Sequence, residues 1–129
     1  MKVIIAGSRD VENFELVEKA VKDSGFKITE VVSGGARGVD KLGEKWAEKN
    51  LKKKPKIFEA NWKDLKAKGA IIKDGYYGKY NANAGFDRNK EMAVYADALI
   101  VLIKNNSPGS SHMYEEMKTL KKKVYVVYV

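Results

Sequence analysis

The stretch SGGARGVD, residues Ser33–Asp40, lies between an apolar run and the start of an amphipathic pattern. The run before it, Ile28–Val32, has the length and the β-branched content of a buried strand. The residues after it, Val39–Leu51, place apolar side chains at the spacing of one helix face. Three glycines therefore occupy a strand-to-helix turn, where they permit a positive φ and a close approach of a ligand to the backbone.

The helix that follows this turn favours an anion at its amino end, because free N–H groups and the helix dipole are positive there. Arg37 adds a guanidinium with a planar set of donors inside the turn. The alternative is that the glycines only form a tight turn. The Gly-Gly-x-x-Gly spacing, with Ser33 and Arg37 beside the glycines, favours a site for an anion such as a phosphate.

The length and composition indicate one globular domain over residues 1–129. Hydrophobic residues make up 44% of the chain, which is enough for a core. The chain has no cysteine and one histidine, which excludes a disulfide framework and a thiolate or histidine-rich metal centre. We expect no cofactor. No apolar run approaches the length of a membrane span, so we expect a cytoplasmic protein without a membrane partner.

The charge balance favours an anionic partner. Lysine and arginine number 25 against 17 aspartate and glutamate, which gives a net charge of +8. Much of the excess lies in lysine runs such as Lys52–Lys54 and Lys121–Lys123. Such runs are more typical of a solvated helix face than of a nucleic-acid groove, so nucleic acid is the less favoured partner.

Strand and helix patterns alternate along the chain, and short turns join them. Strands are predicted at Lys2–Ala6, Ile28–Val32, Lys56–Ala60, Ala98–Ile103 and Val124–Val129, and helices at Phe14–Ser24, Val39–Leu51 and Arg88–Ala96, with a last helix that turns Met113, Met117 and Leu120 inward. Units of strand, helix and strand form right-handed crossovers in a parallel sheet. The prediction is an α/β fold with a mainly parallel sheet of five strands.

The segment from residue 62 to about residue 87 lacks this periodicity. We predict a short helix over Trp62–Lys68 and then a loop or insertion rich in turn residues and tyrosines. A long unpatterned stretch in a compact domain is commonly a lid or a binding loop. Two interpretations of Tyr76, Tyr77 and Tyr80 remain open: they close over a base, or they only decorate the loop.

Three turns rich in small residues, Gly7–Asp10, Ser33–Gly38 and Ser107–Ser111, each follow a predicted strand. The carboxyl ends of parallel strands lie at one edge of a sheet, where open α/β folds bind their ligands. We therefore expect the three turns to face a common crevice. This arrangement predicts a small anionic ligand held by backbone amides, hydroxyls and Arg9 or Arg37.

The usual nucleotide-binding and nucleophile signatures are missing from the chain. The central turn is not Gly-x-Gly-x-x-Gly, and it follows the second predicted strand rather than the first. Neither Gly-Lys-Ser/Thr nor Gly-x-Ser-x-Gly occurs in the sequence. A dinucleotide fingerprint, a P-loop and a nucleophile elbow are therefore not indicated.

Several other motifs follow one another along the chain: Gly7-Ser8-Arg9, Ser33–Asp40, Trp62, Gly78–Gly85, Arg88–Met92, Ala96–Ile100 and Ser107–Ser110. Together they resemble the small YspA-like, YpsA-related proteins of the SLOG superfamily. The resemblance covers nearly the whole chain, apart from a segment around Asp64–Gly75 that looks like an insertion. It implies a Rossmann-like fold of three αβα layers and is compatible with a bacterial or a phage origin.

The resemblance also implies a site for a nucleotide or a nucleotide-derived ligand, made by the same three turns. The SLOG superfamily includes sensor domains for ADP-ribose-derived signals and the LOG phosphoribohydrolases, which cleave the N-glycosidic bond of a nucleoside monophosphate. Arg88 matches the arginine of those enzymes. Glu115 and Glu116 are the candidates for their carboxylate, which stabilises positive charge on the ribose and activates water.

The candidate residues follow from the turns and from the resemblance. The predicted catalytic residues are Arg88, Glu115 and Glu116, and the predicted ligand-binding residues are Gly7, Ser8, Arg9, Ser33, Gly34, Gly35, Arg37, Gly38, Asp40, Arg88, Asn89, Pro108, Gly109, Ser110 and Ser111. Asp40 either bonds ribose hydroxyls or only places a favourable charge in the first turn of a helix. His112 is either structural or, because it lies beside the third turn, in contact with the ligand.

Three functions remain open at this stage. The favoured one is a binding module that senses, sequesters or carries a nucleotide-derived metabolite. The second is a phosphoribohydrolase or a related N-glycosidase, supported by Arg88 with Glu115 and Glu116. The third is binding of single-stranded nucleic acid, suggested by the net charge and by lysines and tyrosines over Lys63–Tyr80. Self-association is a further expectation, since relatives commonly form oligomers.

Overall fold

The computed structural model describes residues 1–66, 69–75, 78–105 and 107–129, which form strands and helices in alternation. In chain order these are β1 (Lys2–Gly7), α1 (Phe14–Ser24), β2 (Glu30–Ser33), α2 (Val39–Asn50), β3 (Lys56–Ile57), β4 (Ile72–Gly75), β5 (Gly78–Asn81), α3 (Ala84–Tyr95), β6 (Ala98–Ile103), α4 (Pro108–Thr119) and β7 (Lys123–Tyr128). Five strands form one sheet in the order β3-β2-β1-β6-β7, and all neighbouring pairs are parallel. Strands β4 and β5 form a separate antiparallel pair.

The sheet separates two apolar cores, because alternate side chains of a strand point to opposite faces. Val3 and Ile5 of β1 pack in the core that also contains residues of α1 and α2. Ile4 and Ala6 of the same strand pack in the core that contains residues of α3 and α4. Strand β6 lies next to β1 in the middle of the sheet, and all six of its residues are buried. The predicted Rossmann-like αβα fold with a five-stranded sheet is confirmed.

Helix α1 shows how local sequence sets the elements that position the site. Its first turn is capped by Asn13, whose side-chain oxygen accepts from the backbone N–H of Glu15 at 3.0 Å. It ends at Gly25, which takes the left-handed conformation with φ of 71°.

Among the described residues, no helix is long and apolar enough to cross a membrane.

The segment between β3 and α3 differs from its prediction. Residues 62–66 form turns, so the helix predicted over Trp62–Lys68 is wrong for the described part of that range. The N–H of Asp64 donates to the carbonyl oxygen of Asn61 at 3.1 Å, and the carboxylate of Asp64 accepts from the N–H of Lys66 at 3.3 Å. Such local bonds compete with the i to i−4 bonds of a helix.

Strands β4 and β5 occupy part of the segment predicted as a loop or insertion. The side-chain oxygen of Asn81 accepts from the N–H groups of Ile71 and Asn83 and so fastens this pair of strands to the start of α3. The ring of Tyr80 meets that of Trp62 edge-on at 6.3 Å between centroids. Tyr76 and Tyr77, for which two interpretations were left open, lie outside the described residues.

The remaining differences concern where elements begin and end. Strand β2 begins two residues later than predicted, β3 has only two residues, and α3 begins four residues earlier, at Ala84. Leu120, predicted to face the core, is 43% exposed because α4 ends at Thr119. Met113 and Met117 are buried as predicted.

Candidate functional site

A cavity of about 390 Å³ opens at the edge of the sheet where β1 and β6 end. The predicted residues that line it are Gly7, Ser8, Arg9, Asp40, Arg88, Asn89, Pro108, Gly109 and Ser110. Residues from the first turn, from α2, from α3 and from the start of α4 thus meet at one place. The cavity lies where the sequence analysis expected the three turns to face a common crevice.

Two glycines allow the first and second turns to touch. A Cβ on Gly7 would lie 2.7 Å from Cγ2 of Val39 and closer still to the carbonyl oxygen of Leu102. Gly38 has φ of 81°, and a Cβ there would lie 2.6 Å from Cα of Arg9. Real Cβ atoms do not approach other atoms so closely, so glycine at both positions is what brings the central turn against Gly7–Asp10.

Ser8 joins the first turn to the end of β6. Its hydroxyl donates to the carbonyl oxygen of Lys104 at 3.1 Å and accepts from the N–H of Lys104 at 2.8 Å. Its own N–H donates to the carbonyl oxygen of Leu102. The side chain is buried, so its role in the wall of the cavity is structural.

Three cationic side chains and a helix amino end line the cavity. Arg9, Arg88 and Lys104 line it, and Lys104 also pairs with Asp10 at 3.4 Å. The amino end of α4 faces the same space, with Ser107 as the residue before the helix and Pro108 as its first residue. The first N–H groups of a helix have no partner within the helix and attract anions. These groups make the cavity suited to a phosphate.

Arg88 is held in place by two hydrogen bonds. Its Nη1 donates to the carbonyl oxygen of Gly34 at 2.6 Å, and its Nε donates to Oδ1 of Asn89 at 3.2 Å. Burial lowers the pKa of the guanidinium below its ordinary value, and the nearby carboxylate of Asp40 opposes this effect. An arginine remains charged under such a shift. Arg88 is therefore a fixed, half-buried cation in the wall of the cavity.

Asp40 is the buried carboxyl group of the cavity. Its Oδ2 accepts from the N–H of Ala36 at 3.2 Å, and the residue is only 6% exposed. Burial raises the pKa of Asp40 to about 6, although the hydrogen bond from Ala36 and the charges of Arg88 and Arg9 act in the opposite direction. This carboxyl can therefore exchange a proton close to neutral pH.

Several predicted residues lie outside the lining of this cavity. Ser33 is fully buried, and its hydroxyl donates to the carboxylate of Glu44 at 2.8 Å and accepts from the N–H of Gly35 at 3.1 Å. Arg37 is exposed to solvent. The others outside the lining are Gly34, Gly35, Gly38, Ser111, Glu115 and Glu116.

The two glutamates predicted as catalytic point elsewhere. Glu115 is exposed, and Glu116 pairs with His112, whose Nε2 lies 3.2 Å from Oε1 of the glutamate. The carboxyl groups that the structure brings to the cavity are those of Asp10 and Asp40. Among the described residues, no group of three or more histidine, aspartate or glutamate side chains is arranged to hold a metal ion.

Three further lining residues, Asp10, Ala36 and Ser107, lie within the predicted turns but were not among the predicted ligand-binding residues. Four others were not predicted to lie near the site: Ala6, Met92, Lys104 and Met113. Lys104 directly follows the most apolar strand of the chain, and this position is a signal in the sequence that could have identified it. Met92 and Met113 look like ordinary core residues in a helical pattern. Their position at the end of the core, next to the cavity, is evident only from the fold.

Two smaller cavities lie at Arg88 and at the central turn. Arg88 also lines a cavity of about 200 Å³ beside Asp87. Gly34 and Gly35 line another, of about 330 Å³, together with Trp62. The central turn and Arg88 therefore separate the main cavity from further surface depressions at the same edge of the sheet.

The fold and the position of the main cavity define a Rossmann-like α/β protein with a site at the carboxyl edge of its sheet. Residues 1–64 match the model of a family described as YspA, cpYpsA-related SLOG family, so the chain belongs to the SLOG proteins through its amino-terminal half. The resemblance to this family is confirmed over residues 1–64, and over the rest of the chain it stays a prediction. No curated protein and no solved structure matches the chain significantly.

The matched residues contain the first two turns of the site, but neither Arg88 nor the start of α4. SLOG membership suggests a role related to a nucleotide, either as a binding domain or in the manner of the LOG enzymes. The residues that would carry that role must be argued from the cavity itself.

Proposed function

We propose that the protein binds a nucleotide or a nucleotide-derived small ligand in the main cavity. One observation carries the proposal: Arg9, Arg88, Lys104 and the amino end of α4 line the same space. Charged donors and free helix N–H groups that converge in this way recognise phosphate oxygens. The family match supports the same class of ligand.

The dimensions and the remaining lining also suit a nucleotide. A volume of about 390 Å³ lies in the range of small-molecule sites. Met92 and Met113 supply apolar surface for a sugar or a base, and Asp40 supplies a carboxyl group for ribose hydroxyls. We therefore assign the phosphate to the three cationic side chains and the amino end of α4, and the nucleoside to the two methionines and Asp40.

The proposal is tested with a panel of nucleoside monophosphates, nucleoside diphosphates, ADP-ribose and cyclic ADP-ribose, by thermal shift and then by calorimetry. A ligand at one hundred times its dissociation constant stabilises a protein by about 2.7 kcal/mol, which raises Tm measurably. A single-stranded oligonucleotide is included at low and high salt, because steep weakening by salt would indicate a nucleic-acid partner instead.

The three arginines of the chain provide matched variants for this test. Arg9→Ala removes a cation from the cavity, whereas Arg37→Ala removes an exposed cation outside its lining and leaves the same net charge. We expect Arg9→Ala to weaken binding about tenfold or more and Arg37→Ala to change it little. Absence of binding by every nucleotide, or equal losses in both variants, would contradict the proposal.

A second function, hydrolysis of an N-glycosidic bond, is favoured by the position of Asp40. Its carboxyl group faces the cavity that also holds Arg88, whereas Glu115 and Glu116 do not. As a carboxylate, Asp40 could stabilise positive charge on the ribose and take a proton from the water that attacks the anomeric carbon. The base would leave as the C–N bond breaks, and it would take up a proton.

Release of free base from nucleoside monophosphates distinguishes turnover from binding alone. If the protein is an enzyme, Asp40→Asn should abolish release, while Glu115→Gln and Glu116→Gln should retain it at least in large part. Binding without any release of base would restrict the protein to the first function. Loss of release in Glu115→Gln but not in Asp40→Asn would contradict the assignment of the carboxylate.

A further inference from the structure

A continuous chain of polar contacts runs from α4 to the central turn. Nε2 of His112 lies 3.2 Å from Oε1 of Glu116, and Nδ1 of His112 lies 3.2 Å from Nδ2 of Asn89. Oδ1 of Asn89 accepts from Nε of Arg88 at 3.2 Å. Nη1 of Arg88 donates to the carbonyl oxygen of Gly34 at 2.6 Å. The imidazole, which is outside the cavity lining, is thus connected to the main cation of the site through one carboxamide.

The chemistry of the partners determines which way round the carboxamide of Asn89 lies. An arginine Nε–H can only donate, so the atom that faces Arg88 must be Oδ1. A backbone carbonyl can only accept, so the atom 3.3 Å from the carbonyl oxygen of Gly109 must be Nδ2. The same Nδ2 faces Nδ1 of His112, which must therefore carry a lone pair and no proton. The contacts require the neutral imidazole with its proton on Nε2, directed at Glu116.

We infer that His112 is a positioning residue, which holds Arg88 in the cavity only while its imidazole is neutral. A proton on Nδ1 would place two donors face to face. If the carboxamide of Asn89 turned over, its Nδ2 would oppose the Nε–H of Arg88, and Gly109 would lose its donor. If Asn89 withdrew instead, Arg88 would lose its acceptor. Either response removes one of the two hydrogen bonds that orient the guanidinium and leaves only the bond from Nη1 to Gly34, about which the side chain can turn.

The groups that pack around the imidazole determine the pH range in which His112 takes up a proton. Burial lowers the pKa of His112 below its ordinary value, Glu116 on the same helix opposes this effect, and Lys90 of α3 adds to it. The ring of Phe86, also on α3, packs against the imidazole with 4.4 Å between centroids. His112 is therefore neutral near pH 7, as the contacts require, and acidification is the signal that releases Arg88. The consequence for nucleotide affinity rests on the proposed function, but the coupling of His112 to Arg88 does not.

The test is an NMR titration of the full chain from about pH 8 to about pH 5, the range in which an imidazole changes charge. The chain has one histidine and three arginines, so the imidazole signal is unique and the guanidinium signals are assigned with Arg9→Ala and Arg37→Ala. We expect the protection of the Arg88 Nε–H, measured relative to the exposed Nε–H of Arg37 so that the general slowing of exchange at low pH cancels, to fall about tenfold below the midpoint of His112. The Nε–H of Arg37, which is exposed, should not follow that midpoint.

His112→Asn is the matched variant, because an asparagine oxygen here can accept from Nδ2 of Asn89 but cannot titrate. Asp40, which also titrates near Arg88, is unchanged in that variant. Any transition of Arg88 that Asp40 causes would therefore persist in His112→Asn. The Arg88 Nε–H should then stay protected to the acid end of the titration. The inference is overturned if Arg88 in the unaltered chain is insensitive to protonation of His112, or if the same transition persists in His112→Asn. Because the readout needs no ligand, either result is independent of the outcome with the nucleotide panel.

Discussion

Nη1 of Arg88 donates to the carbonyl oxygen of Gly34 at 2.6 Å, a bond that joins residues 54 positions apart in the chain. It connects the glycine-rich turn after β2 to helix α3, on the opposite side of the sheet from α2. The guanidinium lies so close that a side chain at Gly34 would fit only if Arg88 moved. The turn is thus shaped for Arg88 as much as for a ligand.

Gly34→Ala should displace Arg88 while the protein remains folded. A Cβ at this position would lie 2.6 Å from Nη1 of Arg88 and 2.8 Å from Oδ2 of Asp40. Because the guanidinium is the end of a flexible side chain, it can move away, and we expect nucleotide affinity to fall about tenfold. Calorimetry on Gly34→Ala, Arg88→Ala and the double variant measures this. Fully additive losses would show that Gly34 does not act through Arg88.

Gly38→Ala should destabilise the fold far more than Gly25→Ala. Both glycines have positive φ, of 81° and 71°, but a Cβ on Gly38 would meet the backbone of Ser8 and Arg9, whereas nothing lies within 4 Å of one on Gly25. We expect a loss of about 1 kcal/mol of unfolding free energy for Gly25→Ala, from backbone strain alone, and about 3 kcal/mol or more for Gly38→Ala. Equal losses in urea unfolding would refute the close approach of the two turns.

Lys122→Met should destabilise helix α3 from outside the helix. The ammonium group of Lys122 donates to the carbonyl oxygens of Ala93, Val94 and Ala96 at 2.6, 3.0 and 2.6 Å. It therefore satisfies acceptors at the negative end of the helix dipole, and we expect its loss to cost about 2 kcal/mol of unfolding free energy.

The neighbouring Lys123→Met provides the control for that measurement, since it removes the same charge from an exposed position at the start of β7. We expect a change within about 0.5 kcal/mol for this variant. Similar Tm values for the two variants would show that the contacts of Lys122 contribute nothing to stability.

Asp40→Asn should change how stability depends on pH. Burial raises the pKa of Asp40 from 3.8 to about 6, so the folded state binds a proton more tightly than the unfolded state does. This group therefore stabilises the fold below about pH 4, and its contribution is lost as the pH rises to about 6 and is constant above that. The two-unit shift corresponds to about 3 kcal/mol.

The measurement is the difference in unfolding free energy between Asp40→Asn and the unaltered chain across that pH range. Groups with shifts of opposite sign, such as Glu30 with its lowered pKa, are present in both proteins and cancel in the difference. We expect the variant to gain about 3 kcal/mol relative to the unaltered chain between about pH 4 and about pH 7. A difference independent of pH would mean that the carboxyl of Asp40 is not desolvated.

Much of the fold could be predicted because its signals are local. The periodicity of Phe14–Ser24, the apolar run of Ala98–Ile103 and the glycines after β2 are each evident within one short window of sequence. The order of strands, helices and turns then determined that three turns lie at one edge of a parallel sheet. The prediction failed where local hydrogen bonds decided the outcome, as in the turns at residues 62–66.

Which side chains reach the cavity was decided by the tertiary structure. Arg37 lies within the motif yet points to solvent, while Arg88 reaches the cavity from a helix beyond it. Glu116 is engaged by His112 on its own helix, and Asp40 is instead the carboxyl group that becomes buried beside the cavity. A sequence motif determines backbone conformation because φ preferences and periodicity are properties of neighbouring residues. The direction of a side chain, its burial and its pKa depend on groups brought together from distant parts of the chain, and these only the folded protein assembles.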